Sequence, residues 1–197
     1  MHRIAEITEL HAHLIARWHQ QPIENHYTGF LNLVCQQLTF NYQLWHEEDL
    51  ARSKDVPDST IAQVKRAIDR FNQQRNDYIE KLDDWLTEEL AHRQITPQPA
   101  ATQNTETVGS SIDRLAILAL RIYHLQEQVD RRDATHEHRA GVARKLEVAH
   151  AQHHDLSQSA QELLSDIFAG RKKHKTYRQM KMYNDPTLNP HLYRAAG

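Results

Sequence analysis

Apolar residues return along most of this chain at alternating steps of three and four, the spacing that lines one face of an α-helix. Ile4, Ile7, Leu14 and Trp18 open the pattern and predict a first helix over about 4–20, ended by Pro22. A second, over about 24–52, carries Leu31, Val34, Leu38 and Trp45 on a stripe that also holds Asn41 and Glu48. The third runs from Thr60 to about His92 on Ile61, Val64, Ile68, Phe71, Tyr78, Leu82 and Trp85, with Arg75 where the period calls for an apolar residue. The segment before it, 53–59, reads as a turn in which Asp58 or Ser59 can cap the helix.

Ser110 with Asp113 gives a variant capping box for a fourth helix through Val129, whose packing face is Ile112, Leu115, Ile122 and Val129. A fifth begins near Thr135, repeats Val142, Leu146, Ala149, His153, Leu156, Ala160, Leu163 and Ile167, and stops at Gly170. Stripes of this length satisfy one another by helix packing. The expected fold is therefore all-α, an elongated helical bundle of about five helices with an ordered C-terminal extension. Residues 1–197 form one domain on this reading, with 94–109 as an internal connector around Pro97 and Pro99. Residues 171–197 form a C-terminal cap that docks through Tyr177, Met180 and Tyr183. A long coiled coil is the competing arrangement, but its seam would have to accept Arg75, Asn41, Glu48 and His153.

Composition agrees with helices. The 197 residues include only five glycines and six prolines, and no glycine-rich nucleotide loop is present. A formal charge of -2 disfavours a general nucleic-acid binder. The single cysteine, Cys35, allows no internal disulfide and reads as a small apolar filler. Neither a secretory leader nor a membrane-length apolar run is seen, so a cytoplasmic protein without membrane insertion is expected. Fifteen histidines make the net charge responsive to mild acid near pH ~6.5.

Arg75 is the main chemical anomaly. A guanidinium in a core position costs several kcal/mol unless carboxylates, carbonyls or a ligand answer its five donors. Glu48 is a candidate partner, although Glu48 and Arg52 also have the spacing of an ordinary helix-surface pair. Beside Arg75, the residues Lys65, Asp69, Asn72, Asn76 and Glu80 form a polar ridge. It reads either as a clamp for phosphate or another polar ligand, or as a solvated face flanking one internally paired arginine. Arg171, Lys172, Lys173, Lys175, Arg178 and Lys181 could neutralise a phosphate, or simply complement a helix C-terminus. If the protein is an enzyme, Glu48 and Asp69 are the candidate catalytic carboxylates, activating water or organising a cation. Magnesium and manganese are then the candidate cofactors. Arg52, Lys65, Asn72, Arg75, Asn76, Asp113, Arg178 and Lys181 are the candidate substrate-binding residues.

Metal ligands are not assigned from the pattern. His150, His153 and His154, with Asp155, form a visible cluster, and Glu147–His150 and Glu89–His92 have the three-residue spacing of dimetal carboxylate bundles. The matching central glutamates are missing, and His153 reads as a hydrogen-bonded core histidine. The start of the fourth helix, 107–114, offers backbone donors to an anion, against the simpler reading that Ser110 and Asp113 cap it.

Four stretches, 41–52, 65–83, 106–118 and 177–193, together resemble the bacterial domain-of-unknown-function family 4254. Matching positions include Glu48, Asp49, Arg52, Lys65, Asp69, Asn72, Arg75, Asn76, Asp77, Glu106, Gly109, Ser110, Asp113 and Arg114, then Tyr177, Lys181, Tyr183, Asn184, Asp185 and Pro186. The resemblance implies that these belong to a shared framework or site, and assigns none a chemical role. It also implies an envelope-glycan setting, which suits a sugar phosphate or nucleotide sugar. Two functions follow as expectations: binding or processing of a phosphorylated metabolite, or a non-catalytic homodimeric scaffold serving envelope-glycan enzymes.

Overall fold

The computed structural model describes residues 3–180, 182 and 185–193. Five long helices and one short one follow in order: α1 Ile4–Trp18, α2 Gly29–Leu50, α3 Asp58–His92, α4 Val108–Asp130, α5 His136–Phe168 and α6 Pro190–Tyr193. Among the described residues there is no strand, only a single backbone bridge between Thr102 and Lys172. The protein is an all-α bundle. No helix is long and apolar enough to cross a membrane.

The ends of the helices are set by local chemistry that the apolar period does not encode. α2 starts later than expected because Asn25 holds the preceding segment in a turn. Its Oδ1 accepts from the Tyr27 amide at 3.0 Å, and its Nδ2 donates to the Asn32 side chain at 2.8 Å. α3 begins one residue after Pro57, with no side-chain cap; Asp58 lies in the first turn, where a carboxylate favours the helix dipole. At α4 the cap is Thr107, whose Oγ1 accepts from the Ser110 amide at 3.0 Å, while the Ser110 hydroxyl donates to Glu106. Asp113 is thereby released from the expected capping box and lies buried in the helix. α5 ends as expected at Gly170, whose φ of 71° suits glycine and where a Cβ would stand 3.0 Å from the Thr96 carbonyl.

The core collects the predicted stripes. Ile4, Ile7, Leu14 and Trp18 of α1 meet Val34 and Leu38 of α2, Leu82 and Leu86 of α3, Ile112 and Leu115 of α4, and Leu163 and Ile167 of α5. α4 is the central helix, packing against α1, α2, α3 and α5, while α2 pairs with α3 as a hairpin. Close approach of α3 and α4 depends on Gly109. A Cβ there would fall 2.5 Å from the Ile79 carbonyl, and its amide donates to the buried Asp83 carboxylate at 2.8 Å.

The connector after α3 is tied to the chain that follows α5. The Gln98 amide donates to the Gly170 carbonyl at 2.9 Å, and Lys173 donates back to Thr102 at 2.9 Å. Beyond it the chain lies along α3, where His174 donates to the Asp83 carbonyl at 2.9 Å and Arg178 pairs with Glu80 and Asp84. The expected apolar docking of this extension is not what is found. Tyr177 is 51% and Met180 81% exposed, so charge and backbone contacts hold the segment; Tyr183 falls outside the described residues.

His11 of α1 is fully buried, and neither ring nitrogen has a hydrogen-bond partner among the described residues. Burial, with a smaller contribution from His153, lowers its pKa to about 3. The folded state therefore keeps His11 neutral while the unfolded chain takes up a proton below pH ~6.5, so stability falls as pH drops from there towards 3. Each pH unit in that window costs up to about 1.4 kcal/mol from this group. We predict that His11→Leu holds or raises stability at pH 7 and removes about 1–2 kcal/mol of the loss between pH 6.5 and 5. Urea unfolding across that range checks this; an unchanged pH slope would count against it.

Candidate functional site

Arg75 projects from α3 towards α4, where the partner its position demands is Asp113. Arg75 Nε donates to Asp113 Oδ1 at 2.7 Å and Nη2 to Oδ2 at 2.5 Å, a bidentate pair. From α2, Gln37 Nε2 and Asn41 Nδ2 also donate to Oδ1, at 2.5 and 2.9 Å. One carboxylate, its side chain 4% exposed, thus accepts from two neighbouring helices. The hydrogen bonds to Asp113 raise the Arg75 pKa, against the opposing effect of burial. The amide groups of Gln37 and Asn41 share Oδ1 with the guanidinium, so three donors crowd one oxygen while Nη2 answers the other, and these added hydrogen bonds help make the desolvated ion pair tolerable.

Above this pair lies a cleft of roughly 290 Å³ bounded by α2, α3 and α4, with Arg75, Trp45 and Asn41 on its inner wall. Glu48, Asp49 and Arg52 form its polar rim. Glu48 does not reach Arg75 in an ion pair; its carboxylate accepts from Arg52 at 2.9 Å, the one-turn pairing that sequence spacing offered as the simpler alternative. Arg75 spends Nε and one Nη2 proton on Asp113. Its remaining N–H donors have no partner among the described residues, and the side chain keeps 24% of its exposure.

The structure brings together Glu48, Arg52, Arg75 and Asp113, and leaves the other candidates elsewhere. Lys65 and Asp69 form an exposed pair one turn apart, at 2.6 Å, so Asp69 is not at the cleft. Asn72 and Asn76 are half-buried on α3 but do not line it. Arg178 is committed to Glu80 and Asp84, and Arg171 to Asp166, so neither is at the cleft. Lys181 lies outside the described residues. His153 is half-buried on α5, and its ring makes no hydrogen bond among the described residues; burial and the adjacent His150 and His154 lower its pKa.

A second polar cluster escaped the sequence reading. His19, at the end of α1, His46 of α2 and His124 of α4 bring ligating nitrogens within 4.8 Å of one another. Tyr123 stacks on His19 with ring centroids 4.1 Å apart, and Tyr42 contacts both His19 and His46. Trp45 joins the two clusters, since one face of its indole stacks on His124 at 5.1 Å while the residue also lines the cleft. Burial, then the neighbouring His19 and His124, depress the His46 pKa. The available signal was helical phase: His46 follows Tyr42 by four residues, and His124 lies eleven beyond Asp113, three turns along the same face.

Fold and site together define a helical-bundle protein with a buried arginine–carboxylate pair under a small cleft. Over residues 31–176 the chain matches the family described as protein of unknown function, DUF4254, and it belongs to that family. α1 and the stretch from Tyr177 onward lie outside the matched residues. No curated protein and no solved structure matches the chain.

The pair generates a stability prediction. Arg75→Leu strands Asp113 with only Gln37 and Asn41, and is expected to cost about 3 kcal/mol, the lower end of the range for breaking buried pairs because the guanidinium is partly solvated. Adding Asp113→Asn removes the stranded charge and should recover about half of that loss. Urea unfolding of both single variants and the double variant measures the coupling; simple additivity would show that the two side chains do not act as a unit.

Proposed function

We propose that the cleft over Arg75 binds a small phosphorylated metabolite of the size of a monosaccharide phosphate. The observation that carries this reading is the guanidinium itself. Asp113 fixes its plane through two hydrogen bonds, and its unused donors remain at a cleft of roughly 290 Å³. A pre-oriented arginine fork loses little entropy on meeting a phosphate oxygen. Trp45 offers an apolar face for a sugar ring, and Glu48 and Asp49 offer acceptors for its hydroxyls. The cleft volume sits at the small end of ligand sites, about 300–1,000 Å³, which favours a monosaccharide phosphate over a nucleotide sugar.

In this reading Arg75 and Arg52 answer the phosphate, while Glu48 is the carboxylate placed to act on a bound ligand or to help hold magnesium or manganese. The envelope-glycan setting that the resemblance implies would suit a ligand of this class. A second reading, a homodimeric scaffold for envelope-glycan enzymes, draws on a different feature. An open groove of roughly 930 Å³ between α4 and α5 is lined by Leu125, Val142 and Val148, the last 57% exposed.

Thermal-shift measurement against sugar phosphates and nucleotide sugars, with and without magnesium or manganese, separates the readings. A bound sugar phosphate at a hundredfold its Kd should raise Tm by roughly 5–10 °C. Arg75→Lys, which keeps the charge and loses the fork, should weaken binding at least tenfold; Arg52→Gln should weaken it less. Silence across the panel, together with a dimer that Val148→Asp dissociates, would transfer the preference to the scaffold.

A further inference from the structure

We infer that His19, His46 and His124 form a mononuclear site for a divalent transition metal of the zinc class, with three imidazole ligands and a remaining position for water or an exogenous ligand. The ligating nitrogens lie within 4.8 Å of one another and come from the ends or faces of three different helices. Nε2 of all three rings is buried and has no hydrogen-bond partner among the described residues. Leaving a buried polar atom unsatisfied is costly, so three in one cluster form an unfavourable arrangement that a cation would reverse.

In His19 and His124 the other ring nitrogen sets the tautomer. His19 Nδ1 stands 2.7 Å from the Ile15 carbonyl, and His124 Nδ1 stands 2.7 Å from Glu127 Oε2. Both oxygens can only accept, so in the neutral rings each Nδ1 carries the proton and each Nε2 presents a lone pair. The Glu127–His124 contact has the form of the carboxylate–histidine–metal relay that orients ligands and raises their basicity. Nitrogens bound to a tetrahedral zinc at about 2.0–2.1 Å stand about 3.3 Å apart, so the rings must close by up to ~1.5 Å. An all-imidazole set suits zinc, cobalt, nickel or copper rather than the oxygen-seeking magnesium or manganese. Three neutral ligands leave the ion its full charge, and a water in the open position would be acidified.

The site is independent of the phosphate reading, and its test can fail separately. Chelator-treated full-length protein is titrated with Co²⁺ and followed by visible absorption. One equivalent should bind, with the intense bands of a four- or five-coordinate ion, and Zn²⁺ should displace it. His46→Gln and His124→Gln should each lose at least tenfold in affinity with helical content unchanged by circular dichroism. Glu127→Gln keeps all three ligands and should still bind about tenfold more weakly or worse. The His150→Asn/His154→Asn double variant, which removes the other histidine cluster, and Arg52→Gln, which alters only the cleft, should bind Co²⁺ as the parent does. Absence of stoichiometric binding, or equal affinity in the parent, His46→Gln, His124→Gln and Glu127→Gln, would overturn the assignment.

Discussion

Burial of the Asp113 carboxylate constrains the rest of the molecule. An ionised group at that depth must be answered on nearly every lone pair, because its loss of hydration costs several kcal/mol. Arg75 from α3 and Gln37 and Asn41 from α2 supply the answer, and each can do so only in one axial register. The three helices cannot slide or rotate past one another without breaking a charge-assisted bond. Hydrophobic stripes alone would tolerate such slippage, since one leucine row packs much like the next.

With the register fixed, the positions along α2 and α4 acquire defined neighbours. On α2, Asn41 touches the carboxylate, Trp45 lies one turn on and Glu48 follows at the cleft rim, with Arg52 just beyond the helix end. On α4, Asp113 is followed by Ile117 and Leu120 in the cleft wall, and then by His124 against Trp45. The indole of Trp45 therefore separates the cleft over Arg75 from the cluster of His19, His46 and His124. Since the same helices carry both, a change that loosens the Asp113 cluster would be felt at the histidines as well.

The sequence displayed the bundle because burial along helices leaves a period: the α1 stripe lies in the core, as do the C-terminal parts of the α3 and α5 stripes, around Leu82 and around Ala160, Leu163 and Ile167. It displayed Arg75 as an anomaly for the same reason. It did not display the partner. Asp113 looked like a capping residue because Ser110 precedes it by three, and only the observed start of α4 at Val108, capped by Thr107, moves it into the interior. Likewise His19, His46 and His124 have no shared spacing. They meet through the packing of α1, α2 and α4, and helical phase places each on a face of its own helix without showing that the three converge. His150 and His154 had the signature and do not have the burial; both are exposed on α5.

Charge distribution narrows what the cleft can accept. The basic C-terminal stretch seemed a reservoir of phosphate-binding cations, yet Arg171 is neutralised by Asp166 and Arg178 by Glu80 and Asp84. Those pairs fasten the extension to the bundle, where exposed, solvent-screened salt bridges contribute little stability and act mainly by setting its path. The cations left at the cleft are Arg75 and Arg52, and Glu48 and Asp49 offset them on its rim. A cleft balanced in this way would draw a polyanion only weakly. In the function we propose, discrimination would come from placement, with one anionic end over Arg75, hydroxyls towards the carboxylates, and a flat apolar face against Trp45.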